Sequence, residues 1–248
     1  MGNVTERAKV LYNEFPFGQF CYADQRASKN PHLLEFVRAA NKKGYIYDIG
    51  CGAGYWLRIY RSLGFEMNHI HGVDLAPENA RVLSAEGFEV IQADILNLPI
   101  PDEVSDYTVA SGVIHHTQDS LQAFRELCRI TKKSGRLFVN VYNAYHPYYY
   151  IVHKLTRPFR FLYWNVARPS GWIIYPFYYV PLQIGAWLIF GRWLDRNTAR
   201  TSFMDQVMTP RAELFTARKL VRYANSCSRK VIEVRYNKAG LMISAIVE

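Results

Sequence analysis

Cysteine is scarce in this 248-residue chain, and its four copies, Cys21, Cys51, Cys128 and Cys227, form neither a CxxC pair nor any metal-ligand spacing. Thiols scattered in this way argue against a disulfide framework and point to a thiol-reducing cytoplasm. His69, His71, His146 and His153 lack acidic or thiol neighbours at ligand spacing, so no metal site is expected. No secretory leader is expected either, because Met1 to Phe15 is polar and charged. Acidic residues run short in the second part of the chain. Residues 1–142 carry 15 Lys and Arg against 16 Asp and Glu, whereas residues 143–248 carry 15 against 5. The excess behind the net charge of +9 therefore lies after residue 142. An acidic partner or an anionic surface would be attracted there, although a solvated basic face needs no partner. Charge is missing altogether from residues 169–191, a stretch long enough in principle to span a bilayer. Pro176, Pro181, Gly171 and Gly185 interrupt it, and its Tyr and Trp residues suit an interface better than hydrocarbon.

An apolar fraction of 50% with 21% charged residues is the composition of a globular protein, long enough to bury an ordinary core. Asn30-Pro31 starts a helix with cap and first-turn proline in place, and Leu33, Leu34, Phe36 and Val37 give it an apolar face. Gly44 ends that helix and a first strand begins. Further strands are expected at residues 70–74, 88–92, 107–111 and 136–142, with helices over 55–63, 77–86 and 120–131. That alternation predicts a parallel sheet covered on both faces. Residues 230–236 and 241–247 read as a hairpin around Asn237-Lys238-Ala239-Gly240, and Met208-Thr209-Pro210-Arg211 followed by 212–224 as a capped helix returning to the sheet. Between residues 143 and about 200 this pattern stops. Of the chain's 37 aromatic residues, 16 fall within 145–193. Three uses of that insertion are open: a bilayer span, a peripheral membrane contact, or a lid or dimer surface over an apolar pocket, the last being favoured.

The most informative run is Tyr45-Ile46-Tyr47-Asp48-Ile49-Gly50-Cys51-Gly52-Ala53-Gly54, an apolar strand passing through an aspartate into three glycines spaced two apart. Bare backbone there admits a ligand, since a Cβ at the first two glycines would fill the space it needs. A dinucleotide fingerprint needs its third glycine three positions after the second, where this chain has Tyr55. The pattern acidic-x-Gly-x-Gly-x-Gly is matched throughout. Over residues 40–142 the chain resembles the class I S-adenosylmethionine (SAM)-dependent methyltransferase family.

The resemblance implies SAM as cofactor and S-adenosylhomocysteine as product. Gly50, Cys51 and Gly52 would receive the methionine end, with Asp48 near its ammonium. Asp74, at the end of the second strand, is placed to accept hydrogen bonds from the ribose hydroxyls, the geometric logic of dinucleotide folds. Asp94 would hold the adenine amino group between Leu75 and Ile95. The Asn/Asp-Pro-Pro-Tyr/Phe loop of amino-methylating enzymes is absent. Ser111-Gly112-Val113-Ile114-His115-His116 stands in its place and resembles the small-molecule branch. Ser111 would serve the methionine end, and His116, or less readily His115, would face the methyl group as a base. A histidine pair here also occurs where no base is needed. Tyr12, Phe17 or Tyr22 would cap the pocket.

The expectation is an α/β fold: a seven-stranded Rossmann-like sheet with helices on both faces and an aromatic-rich helical insertion between strands 5 and 6. Its parts are a cap segment (1–29), a SAM-binding core (30–142), the insertion (143–207) and a closing helix and hairpin (208–248). The expected activity is methyl transfer to a small, largely apolar acceptor, at oxygen ahead of nitrogen or carbon. Alternatives are a peripheral membrane enzyme acting on a lipid, quinone or isoprenoid, an RNA methyltransferase, and a non-methylating SAM-binding protein. Nucleic acid is not the expected partner; membrane contact through 145–193 and a homodimer remain open.

Overall fold

The computed structural model describes residues 3–15, 30–191, 193–237 and 240–248. Five parallel strands, β1 (Ile46–Ile49), β2 (Ile70–Asp74), β3 (Glu89–Gln92), β4 (Ser105–Ser111) and β5 (Thr131–Tyr142), are joined by β6 (Val231–Tyr236) and β7 (Met242–Val247) in one sheet. The order is β3-β2-β1-β4-β5-β7-β6. β7 runs antiparallel to both neighbours, β5 and β6. β5 starts earlier than expected, because Thr131 already pairs with Ser105 before the register shifts.

The chain moves outward from β1 through β2 to β3, then crosses back to place β4 on the other side of β1. The strand order thus reverses between β1 and β4, and open α/β sheets bind ligands at that point, beyond the carboxyl ends of the strands. Register brings those ends level: Ile49 lies beside Val73, Asp74 beside Gln92, and Ser111 beside Asn140.

Both faces are covered. Among the described residues, α1 (Val4–Glu14) precedes α2 (Pro31–Ala39), whose cap Asn30 accepts from the Leu33 N–H at 3.1 Å. α2, α3 (Tyr55–Ser62) and α4 (Pro77–Ala85) bury Leu33, Phe36, Leu57, Tyr60 and Leu83 against one face. α5 (Ser120–Ile130), capped by Asp119, and α10 (Ala217–Ser226) bury Phe124, Leu127 and Leu220 on the other. The helix expected from residue 212 begins only at Ala217, where the Thr216 hydroxyl accepts from the Lys219 N–H. Residues 209–216 cannot be helical because Phe215 is wholly buried and its backbone pairs with Tyr142 and Ala144.

The insertion between β5 and β6 comprises α6 (Pro147–Leu155), α7 (Arg157–Asn165), a 3₁₀ segment (Arg168–Ile174), α8 (Tyr175–Phe190) and α9 (Arg196–Phe203). It ends in one π turn, Met204–Met208. Its inner side forms a small core of Leu11, Tyr163, Phe203, Met204, Val207 and Met208, tying α1 to that turn. α8 is apolar on every side and leaves Phe177 80% exposed, with Ile184, Trp187 and Leu188 also exposed. No helix among the described residues is long and apolar enough to cross a membrane, so the first of the three uses weighed for this stretch finds no support there.

Candidate active site

The glycine loop turns because Gly50, Gly52 and Gly54 all hold positive φ, at 79°, 53° and 74°. A Cβ at Gly50 would lie 2.3 Å from Val113 Cγ2, and one at Gly54 2.1 Å from Leu83 Cδ2. Internal packing, rather than ligand space alone, therefore demands glycine at the first and third positions. The N–H groups of Gly50 and Cys51 both point at the Val73 carbonyl, locking the loop to β2. Cys51 is buried, and burial together with Asp74 and Asp48 pushes its thiol well up, so it stays protonated.

Asp74 is 8% exposed. It accepts from the Gly52 N–H at 2.8 Å on Oδ2, and from the Ala76 N–H at 2.9 Å and Asn79 Nδ2 at 3.0 Å on Oδ1. A carboxylate offers about four acceptor positions, which leaves room on Oδ2 for one further donor such as a ribose hydroxyl. Burial raises its carboxyl, and these three donors work in the opposite direction. Asp94 uses Oδ1 to accept from the Leu96 N–H at 3.0 Å, beside buried Ile95 and half-buried Leu75. Asp48 is buried at the end of β1, where the Tyr60 hydroxyl donates to it at 3.4 Å. Ser111 closes β4, with Asn140 Nδ2 donating to its hydroxyl at 3.3 Å. The arrangement fits SAM: bare backbone for the methionine end, a carboxylate with a spare lone pair for the diol, and apolar side chains by a second carboxylate for the base.

A second group of polar residues closes over the end of β4. His116 is 7% exposed, and its Nδ1 lies 3.0 Å from the Arg211 carbonyl oxygen. Tyr12 sits edge-on to it with ring centres 6.4 Å apart. The Tyr12 hydroxyl donates to Asp205 Oδ1 at 3.1 Å, and that of Tyr142 to Asp205 Oδ2 at 3.2 Å. Burial and the Asp205 charge hold both phenols well above their ordinary value, and Asp74 adds to the effect on Tyr12. His115 is fully buried, its ring 3.9 Å from that of Tyr142. Burial pushes it well below the usual histidine range, so it is neutral. Phe17 and Tyr22 lie outside the described residues. Sequence reasoning missed Asp205 and Tyr142. The weak signal was Asp205 itself, one of only 5 acidic residues after residue 142.

The sequence pattern of the family described as a methyltransferase domain matches residues 47–139. The chain is 29% identical over 124 residues to the probable tRNA methyltransferase 9B of Bos taurus, covering 49% of this chain and 26% of that protein. It is 29% identical over 126 residues to the tRNA (carboxymethyluridine(34)-5-O)-methyltransferase of Arabidopsis thaliana, covering 50% of this chain and 30% of that one. The match thus spans less than a third of either relative. The magnesium protoporphyrin IX methyltransferase of Synechocystis PCC 6803, solved with SAM bound, shares the fold with a TM-score of 0.60 at 10% identity, over 100% of this chain and 97% of that one.

Residues 47–139 are a methyltransferase domain, and the fold around them is that of the class I SAM-dependent methyltransferases. That domain and fold imply SAM as the methyl donor. One expectation is corrected: with tRNA methyltransferases among the curated relatives, a small-molecule acceptor loses its standing and nucleic acid can no longer be set aside as a partner. The absent amino-methylating loop misled, since it argues only against transfer to exocyclic nitrogen and says nothing of transfer to an oxygen carried by RNA.

Proposed function

We propose that this chain is an O-methyltransferase that moves the methyl group of SAM to an oxygen of an RNA nucleotide. The observation that carries the reading is the similarity, over half of the chain, to two tRNA methyltransferases, one of them named for 5-O transfer. The basic excess after residue 142 supports it, because phosphate attraction dominates RNA affinity. So do guanidinium groups laid over indole rings where α1 meets the insertion. Arg7 lies 5.8 Å and Arg168 5.7 Å from the Trp164 ring centre, and Arg200 lies 4.6 Å from that of Trp172. Such planes stack splayed bases while holding phosphates. The Trp164 indole N–H donates to the Met208 carbonyl at 2.8 Å, which links this surface to the turn that carries Asp205.

In this reading Asp74, the Gly50–Gly52 loop, Asp94, Leu75, Ile95 and Ser111 hold the donor, and His116 faces the acceptor. α1 and the insertion bring the RNA to it. Methyl transfer from a sulfonium has a good leaving group, so orientation and water exclusion supply much of the acceleration. Unpaired Cys51, Cys128 and Cys227 suit a reducing cytoplasm.

The test combines tritium transfer from methyl-labelled SAM into bulk tRNA with binding of the same tRNA across a salt series. Label in the RNA, with log affinity falling steeply against log salt, is expected. Arg168→Ala with Arg200→Ala should weaken tRNA binding without moving the affinity for S-adenosylhomocysteine. RNA that neither binds at low salt nor gains label would contradict the reading.

A further inference from the structure

Two proton acceptors face each other beyond the ends of β4 and β5. His116 Nε2 and Asp205 Oδ1 are 3.9 Å apart, and Nε2 is buried without a hydrogen bond among the described residues. The tautomer follows from the other ring nitrogen. Nδ1 lies 3.0 Å from the Arg211 oxygen, which only accepts, and 3.2 Å from the Thr209 hydroxyl, which can accept while donating to that same oxygen at 3.3 Å; a ring proton on Nδ1 satisfies all three, so a neutral His116 presents a bare lone pair at Nε2. Asp205, 9% exposed, stands on the π turn Met204–Met208, a distortion found frequently at functional sites. Each of its oxygens receives one phenol, from Tyr12 and Tyr142, so the carboxylate is fixed in place.

We propose that His116 and Asp205 form one proton-accepting pair and that the acceptor group they receive is a neutral hydroxyl. His116 Nε2 takes the hydroxyl proton as the hydroxyl oxygen bonds to the methyl carbon. The carbon–sulfur bond breaks with its electron pair remaining on sulfur, leaving a methyl ether and S-adenosylhomocysteine. The proton passes from the imidazolium to solvent, and Asp205 stabilises that imidazolium while it lasts. Asp205 acts through His116 and is a positioning residue. An ionised carboxylate acceptor fits poorly: it has no proton to give, and its charge would stand beside that of Asp205 in a site shielded from water.

Other titratable groups face the pair from every side: Tyr12 from α1, Tyr142 from β5, Tyr148, Tyr149 and His153 from α6, Tyr178 from α8 and His115 from the same turn as His116. Burial keeps the phenols protonated and both His115 and His153 neutral near pH 7, so none competes for the proton.

The proton pair rests on geometry alone, while the choice of RNA as probe rests on the proposed function, and the test separates them. Ring-nitrogen NMR of the free protein should show His116 as the Nδ1–H tautomer. Its Nε2 resonance should move in Asp205→Asn, where an amide able to donate replaces the carboxylate 3.9 Å away. An unchanged Nε2 resonance would overturn the pair. Retained affinity for S-adenosylhomocysteine shows that the variant is folded; if it is not, Asp205→Glu should restore both tautomer and Nε2 resonance, and His116→Gln should lower kcat with KM little changed. In the second arm, tRNA labelled from methyl-tritiated SAM is treated with dilute alkali. An ether keeps its label non-volatile, as expected; release as volatile methanol means an ester and overturns the hydroxyl assignment. Unlabelled RNA together with a shifted His116 Nε2 resonance would count against the RNA reading and in favour of the pair.

Discussion

At Gly50 and Gly54 an added methyl group meets side chains, Val113 Cγ2 at 2.3 Å and Leu83 Cδ2 at 2.1 Å, in backbone of positive φ. Gly50→Ala and Gly54→Ala should each cost about 1–3 kcal/mol in thermal denaturation, from left-handed strain together with overpacking. Gly191→Ala, where φ is equally positive but nothing lies within 4 Å, should lose only about 1 kcal/mol. At this scale the glycine triplet and Asp74 were legible because they follow one strand in one turn and end the next, both local patterns. The partners that make those residues necessary were not. Asp205 was illegible for the same reason: it meets His116 only because α1, β5 and the π turn converge, and no spacing in the chain records that convergence.

Among the elements, α10 shows a competition between a local signal and packing. Thr209-Pro210 carries the marks of a helix start, yet the chain stays extended through Phe215, which is buried and paired to β5, and Thr216 caps the helix instead. Thr216→Ala should therefore destabilise by about 1 kcal/mol, seen as faster amide exchange in the first turn of α10, whereas Thr209→Ala should leave that turn unchanged. The strands were readable within a few residues because buried parallel strands form apolar runs bounded by turns. The insertion resisted reading because α8 is apolar on all sides, so periodicity does not say which face packs.

Across the whole molecule, buried histidines make stability depend on pH. Burial foremost lowers His115 well below its ordinary 6.5, lowers His153 to about 3 and lowers His32 and His71 to a smaller extent. The unfolded chain protonates these rings near 6.5 while the folded chain holds them neutral. Between the two values the unfolded state binds more protons, so stability is full above 6.5 and falls as pH drops toward 3, by up to about 1.4 kcal/mol per unit for each ring. Asp74, whose carboxyl is raised by burial, contributes in the opposite direction, losing stability as pH rises through its folded value. Denaturant melts should show the protein less stable at pH 5 than at pH 7.5, with a shallower loss in His153→Gln.

The sheet order, the reversal between β1 and β4 and the carboxylates at the strand ends converge on one proposal: Asp74, at the carboxyl end of β2, holds the ribose of the methyl donor beside the glycine turn after β1. Titration calorimetry with S-adenosylhomocysteine tests it directly. One site per chain is expected, with affinity at least about tenfold weaker in Asp74→Asn, the loss anticipated for a hydrogen bond to a charged group. No heat from the wild-type protein, or equal affinity in the variant, would contradict it.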